Sequence, residues 1–200
     1  MENNTKEKIL RVAANLFRKN GFNGTSISDI VRESGVSKMT VYYHFPSKQN
    51  MLHEVINRGM GEGTSVQNIV NSKLGPKEKL REITKLHITN MLRHIDFVSA
   101  SLLERDRLEK QYRSNYIRRR DDYQHRVEEI IKEGIKLGVF PTVKNIKLTT
   151  YAIFDICNGP SRWYKPEGAL TPEQIAEELS TLICDYLMQI QPAKRSMKTA

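Results

Sequence analysis

The sequence predicts an all-α fold, on three observations. Apolar residues recur at helical spacing along almost the whole chain, no segment alternates with period two long enough to make a strand, and cap and breaker residues fall where the apolar stripes begin and end.

The elements follow in order. Ile9, Val12, Ala13, Leu16 and Phe17 form one helical face, with Asn4 and Glu7 spaced as a capping box and Gly21 placed to stop the helix. A second, short helix begins at Thr25 or Ser26 and ends before Gly35. A third starts after Ser37 and ends before Pro46, which disfavours helix at Phe45. Ser47 caps a fourth, carrying Met51, Leu52, Val55 and Ile56. Beyond residue 75, Leu80, Ile83, His87 and Met91 mark a stripe. A long run from about Glu104 to Leu137 holds Leu108, Tyr112, Tyr116, Tyr123, Val127, Ile130 and Ile131, and Gly138 and Pro141 close it. Residues 143–158 are apolar on more than one face, and Gly159-Pro160 break that helix. Thr171, Pro172 and Gln174 open the last one, which continues through Ile175, Leu179, Leu182, Ile183, Tyr186, Leu187 and Ile190.

Composition bounds the function. The chain has 200 residues and a formal net charge of +9, and residues 1–50 hold eight Lys/Arg against four Asp/Glu. That balance suits an anionic partner such as nucleic acid, with the ends of the chain the first place to look. No apolar stretch approaches the ~18 residues of a membrane span. The polar start, MENNTKEKIL, does not read as a signal peptide. Cys157 and Cys184 cannot alone make a disulfide framework or a zinc site. The expected compartment is the cytoplasm, with no membrane partner, no cofactor and no metal.

Within SISDIVRESGVSKMTVYYHF, residues 26–45, the pattern is helix, tight turn, helix. Ile27, Ile30 and Val31 face inward, Gly35 supplies the turn, and Val41 points to the core. Lys38, Met39, Thr40, Tyr42, Tyr43 and His44 are left on or near the outside. A helix entering the major groove needs that set: Lys38 for guanine acceptors, Thr40 for either kind of base edge, Met39 for a thymine methyl. Tyrosine hydroxyls, Lys48, and the helix starts capped by Thr25, Ser26 and Ser37 suit phosphate oxygens. The spacing alone also fits a plain corner in a helical core.

The stretch TSISDIVRESGVSKMTVYYHFPSKQNML resembles the DNA-binding domain of the TetR family of bacterial repressors. The likeness rests on Thr25, Ile30, Gly35-Val36-Ser37, Thr40, Tyr42-Tyr43-His44-Phe45, Ser47-Lys48 and Leu52. The preceding helix is similar to the family's first through Ala13, Ala14, Phe17 and Gly21-Phe22, so the likeness covers about residues 5–56. Met39 departs from the family, which often has a small residue there. The resemblance implies a three-helix DNA-binding domain over 1–48, a helical effector-binding and dimerisation domain over 49–192, and a basic tail over 193–200. It further implies a homodimer paired through its last two helices, with two recognition helices about 34–36 Å apart on a palindromic double-stranded operator.

Effector-binding candidates are Met91, Phe97, Tyr116, Tyr151, Phe154, Asn158 and Trp163, from which an apolar pocket with a few polar groups can be lined. The segment NGPSRWYKPEGALTPEQIAEEL is similar to a TetR subgroup whose regulators respond to acyl-CoA thioesters. That likeness implies a hydrophobic effector of this class, with Arg118-Arg119-Arg120 and Arg162 available for its phosphates. His87 and His94, seven apart, lack a third metal ligand. Gly59, Gly61 and Gly63 weaken or kink the fourth helix, as a hinge would require. No nucleophile–base arrangement stands out, so the chain does not read as an enzyme. The alternative to a ligand-responsive repressor is a nucleoid or partner-regulated DNA-binding protein.

Overall fold

Short polar side chains at the helix starts set much of the architecture. The computed structural model describes residues 2–61, 63–186 and 188. Its helices are α1 (Glu2–Asn20), α2 (Ile27–Ser34), α3 (Lys38–His44), α4 (Lys48–Met60), α5 (Gly63–Val70), α6 (Pro76–Arg93), α7 (Ile95–Glu104), α8 (Lys110–Lys136), α9 (Ile146–Asn158) and α10 (Pro172–Thr181). Short 3₁₀ turns lie at Arg105–Arg107 and Gly159–Arg162, and one π-turn at Leu182–Tyr186. Among the described residues there is no strand, and no helix is long and apolar enough to cross a membrane.

Ser26, Ser37, Ser47, Asn145 and Thr171 each accept a hydrogen bond from the backbone N–H three residues on, satisfying one of the helix's orphan donors. Thr171 and Gln174 complete the expected box ahead of Pro172. The structure corrects four expectations. α1 already begins at Glu2, so Asn4 lies inside it; Glu7 pairs instead with Arg11 (3.0 Å) and Arg58 (2.9 Å). The run from Glu104 is not one helix, because Leu108 turns to φ −60°, ψ 131° and buries its side chain in the core before α8 starts. α9 begins at Ile146, where Asn145 caps it, and not at 143. α4 ends outright at Met60 with Gly61 as its C-cap, and α5 follows as a separate helix. Leu187, Ile190 and the basic tail with Lys194, Arg195 and Lys198 lie outside the described residues.

The chain forms two units. The first comprises residues 1–64, 90–123 and 160–165. Its core sets Ile9, Leu10, Ala13, Ala14 and Phe17 of α1 with Met51, Leu52, Val55 and Ile56 of α4 and Phe97 and Ala100 of α7. Each fully buried Ile, Leu, Val, Met or Phe among them stabilises by roughly 1.5–3 kcal/mol. Ile30, Val41 and Phe45 fasten α2 and α3 to the same cluster. Gly59 lets two helices close up, since a Cβ there would lie 2.7 Å from the Phe97 carbonyl oxygen. α4 and the start of α8 share this core.

Among the described residues the second unit comprises 65–89, 124–159, 166–186 and 188. Leu80, Ile83 and Ile88 of α6, Val127, Ile130 and Ile131 of α8, Ile153 and Cys157 of α9 and Ile175 of α10 are buried there. Asp185 accepts from Arg81 (2.6 and 2.7 Å) and pairs with Lys77 (2.9 Å), tying α6 to the chain after α10. Burial pushes the Cys157 thiol up to about 12 and Cys184 up to about 11, so both remain protonated and unpaired.

Candidate nucleic-acid interface

The residues between α1 and α4 build a rigid corner. Ser26 Oγ accepts from the Asp29 N–H (3.1 Å), and Asp29 Oδ2 accepts from the Ser26 N–H (3.0 Å) and hydroxyl (2.6 Å). These bonds to Ser26, with Arg32 at 2.9 Å, lower the Asp29 carboxyl to about 2. Gly35 takes φ 66°, a left-handed conformation that a Cβ resists, and its N–H closes α2 on the Val31 carbonyl (3.0 Å). Ser37 Oγ accepts from the Thr40 N–H (3.0 Å) and pairs with the Thr40 hydroxyl (2.8 Å).

With Val41 and Phe45 fully buried, Lys38, Met39, Tyr42 and Tyr43 of α3 are turned outward. Met39 is 82% exposed, Tyr43 72% and Tyr42 44%. Lys38 is exposed beside them; Thr40 and His44 are half-buried, and the His44 ring meets Tyr43 edge-on at 5.1 Å. Large apolar and aromatic groups presented together on a short helix, with a lysine at its start, form a surface suited to base edges and phosphates.

The ten candidate DNA contacts do not all face outward. Ser26, Ser37, Lys38, Met39, Tyr42 and Tyr43 do, whereas Thr25 is buried and its hydroxyl donates to the Gly21 carbonyl (2.9 Å). Lys48 donates to the carbonyls of Phe22 and Thr25, both at 2.8 Å, and its ammonium lies 4.2 Å from the Phe22 ring centroid. Burial lowers its pKa. Two of its three N–H groups thus staple the α1–α2 turn, which leaves one for a phosphate.

The effector candidates divide between the units. Met91, Phe97, Tyr116 and Trp163 belong to the first, where Phe97 and Tyr116 fill the core beneath the helix-turn-helix and Trp163 is 56% exposed. Tyr151, Phe154 and Asn158 belong to the second. There Phe154 and Asn158 converge on His87: Asn158 Oδ1 lies 3.1 Å from His87 Nε2, and the Phe154 ring stacks at 5.9 Å. Burial keeps the His87 imidazole below its ordinary value. His87 joins this set only through contacts between helices distant in sequence, which its own spacing does not reveal. Among the described residues no group of three or more metal-ligating side chains assembles. The arginine run is engaged: Arg118 with Asn115, Arg119 with Asn57 and Gly61, Arg120 with Asp121.

Residues 9–55 match the family model for bacterial regulatory proteins of the tetR family, and residues 73–187 that for the tetracyclin repressor-like C-terminal domain. The HTH-type transcriptional repressor KstR2 of Mycobacterium tuberculosis is 28% identical over 184 residues, 90% of this chain and 92% of KstR2. The crystal structure of the regulator PfmR from Thermus thermophilus superposes with a TM-score of 0.79 at 29% identity, covering 88% of this chain and 97% of that one. That of AibR in complex with isovaleryl coenzyme A and operator DNA shares the fold, with a TM-score of 0.74 at 24% identity over 90% of this chain and 98% of that one.

Proposed function

The chain belongs to the TetR family, and from that premise we propose that it is a transcriptional repressor that reads an operator with α3 and releases it on binding a hydrophobic small molecule. The exposed face of α3 carries this reading, since Met39, Tyr42 and Tyr43 present large apolar and aromatic surface to water and are held outward by the Ser37 cap and the buried Val41 and Phe45. A homodimer paired through the last two helices is supported by the exposed Leu148 and Tyr151 of α9 and by Leu182 and Tyr186 after α10. Two copies would place two α3 helices on half-sites about 34–36 Å apart, so the operator is an inverted repeat. Acting on chromosomal DNA, the protein works in the cytoplasm.

An acyl-CoA thioester is the proposed effector class. It is supported by the Arg162-Trp163-Tyr164 loop before α10 and by the isovaleryl coenzyme A bound to AibR. In the second unit Phe154 and the His87–Asn158 pair offer an apolar lining with a neutral polar group. Hydroxyl-radical footprinting of the DNA upstream of the protein's own gene tests the operator reading. Two symmetric protected patches support it, and a single or unbounded patch contradicts it. Titrating the complex with isovaleryl-CoA and longer acyl-CoAs tests the effector: unchanged DNA affinity would refute that class and leave the operator reading intact.

A further inference from the structure

The corner between α7 and α8 lies outside the helix-turn-helix yet is fastened to the element that follows the recognition helix. Gln49, in the first turn of α4, makes a two-point clamp. Its Nε2 donates to the Arg107 carbonyl (2.9 Å), and its Oε1 accepts from the Glu109 N–H (3.2 Å). One turn along α4, the His53 ring stacks on Tyr112 of α8 at 4.4 Å. Leu108, between these contacts, is buried in the core that also holds Val41 and Phe45. The corner is therefore fixed against the start of α4, only a few residues after α3 ends.

Its charges are not balanced locally. Asp106 faces Arg113 at 3.8 Å, and Glu109 accepts from Gln111 (2.9 Å). Arg105, Arg107 and Lys110 have no carboxylate partner among the described residues, and Arg107 and Lys110 are exposed. Further along α8 the pattern changes, with Arg119 and Arg120 both taken up by neighbours. Unpaired cations on a corner clamped to the start of α4, a few residues past the reading helix, are placed to meet the flanking phosphates of a duplex docked on α3.

We infer that the Arg105–Lys110 corner is a second, sequence-independent DNA contact, in which Arg107 and Lys110 pair with backbone phosphates flanking the half-site read by α3. It rests on the assignment of α3 as the recognition helix. It adds affinity and register without reading bases.

The test is the salt dependence of DNA affinity for the full chain, measured on a duplex from upstream of its gene and on a scrambled duplex. The variant Arg107→Gln/Lys110→Gln is compared with the unmodified protein and with Arg118→Gln. Arg118 is exposed and about 12 Å further along α8 at 1.5 Å per residue. Each lost phosphate contact lowers the slope of log K against log salt by about 0.9, so the double variant loses about 2 units per protomer, about 4 for the dimer on two half-sites, and weakens by a similar factor on both duplexes. Arg118→Gln leaves the slope unchanged. An unaltered slope in the double variant overturns the inference, as does an equal loss per charge with Arg118→Gln, which would be an effect of net charge alone. Failure of the unmodified protein to bind either duplex overturns the DNA-binding assignment itself, and the corner with it.

Discussion

Arg119 closes the end of α4: its guanidinium donates to the Gly61 carbonyl oxygen at 2.7 Å and to Asn57 Oδ1 at 3.0 Å. The bond to Gly61 satisfies a carbonyl just past the helix end, where no further turn supplies a donor. Hydrogen bonds from a charged donor contribute roughly 1.5–3 kcal/mol each when partly shielded from water. Arg119→Ala is therefore expected to lower stability by about 1–3 kcal/mol, read as a shift in the urea midpoint at unchanged m-value. Arg119→Lys, a single-point donor, recovers part of the loss. Full stability in the alanine variant would remove the clasp from the account.

Gly59 is expected to be intolerant of enlargement. An added Cβ would stand 2.7 Å from the Phe97 carbonyl, a backbone atom that cannot rotate away. Gly59→Ala must push α4 from α7, at a cost of about 1–3 kcal/mol. Gly35→Ala is costly for a different reason: nothing lies within 4 Å of its Cβ position, but φ 66° strains any L side chain. About 1–2 kcal/mol is expected there. Chemical denaturation of both variants checks the pair.

The recognition face should separate binding from folding. Lys38, Met39 and Tyr43 are exposed, and none of the three belongs to the buried cluster that holds the domain together. Lys38→Ala is expected to weaken operator binding by about 1–3 kcal/mol with little change in melting temperature. Tyr43→Ala should do likewise. Loss of affinity accompanied by an equal loss of stability would mean these side chains are structural.

Stability should fall on mild acidification. Burial holds His53, His87 and His94 below the ordinary histidine value of about 6.5. The unfolded chain thus takes up protons on these groups first. Their contribution is fully present above that value and is lost as pH falls through it towards their folded values. Unfolding midpoints between about pH 8 and pH 5 should decline, and His87→Gln should flatten the curve. A midpoint that rises on acidification would contradict this assignment. Asp29, held at about 2, acts in a lower window: its contribution is present above the ordinary carboxylate range and lost only as pH falls towards 2.

Much of the helix-turn-helix was legible because its determinants are local. Ser26, Ser37 and Ser47 announce helix starts, Gly35 the turn, and the spacing of Ile30, Val41 and Phe45 the buried side. Thr171-Pro172-Gln174 opened α10 for the same reason. What escaped depends on partners distant in sequence. Asn4 looks like a cap because no nearby residue shows that α1 begins earlier, at Glu2. Lys48 looks like a phosphate ligand until the carbonyls of Phe22 and Thr25 are found beside it. The burial of Leu108 breaks an otherwise continuous helical pattern. The links from Gln49 to Arg107 and from Arg119 to Gly61 join residues 58 positions apart, a separation on which periodicity is silent.

The central claim is that α3 reads sequence. Fluorescence anisotropy of the full-length protein, on DNA from upstream of its own gene and on the same bases scrambled, at one near-physiological salt concentration, measures it directly. The account predicts binding to the native duplex ~10³-fold or more tighter than to the scrambled one. Equal affinity for both duplexes would contradict it.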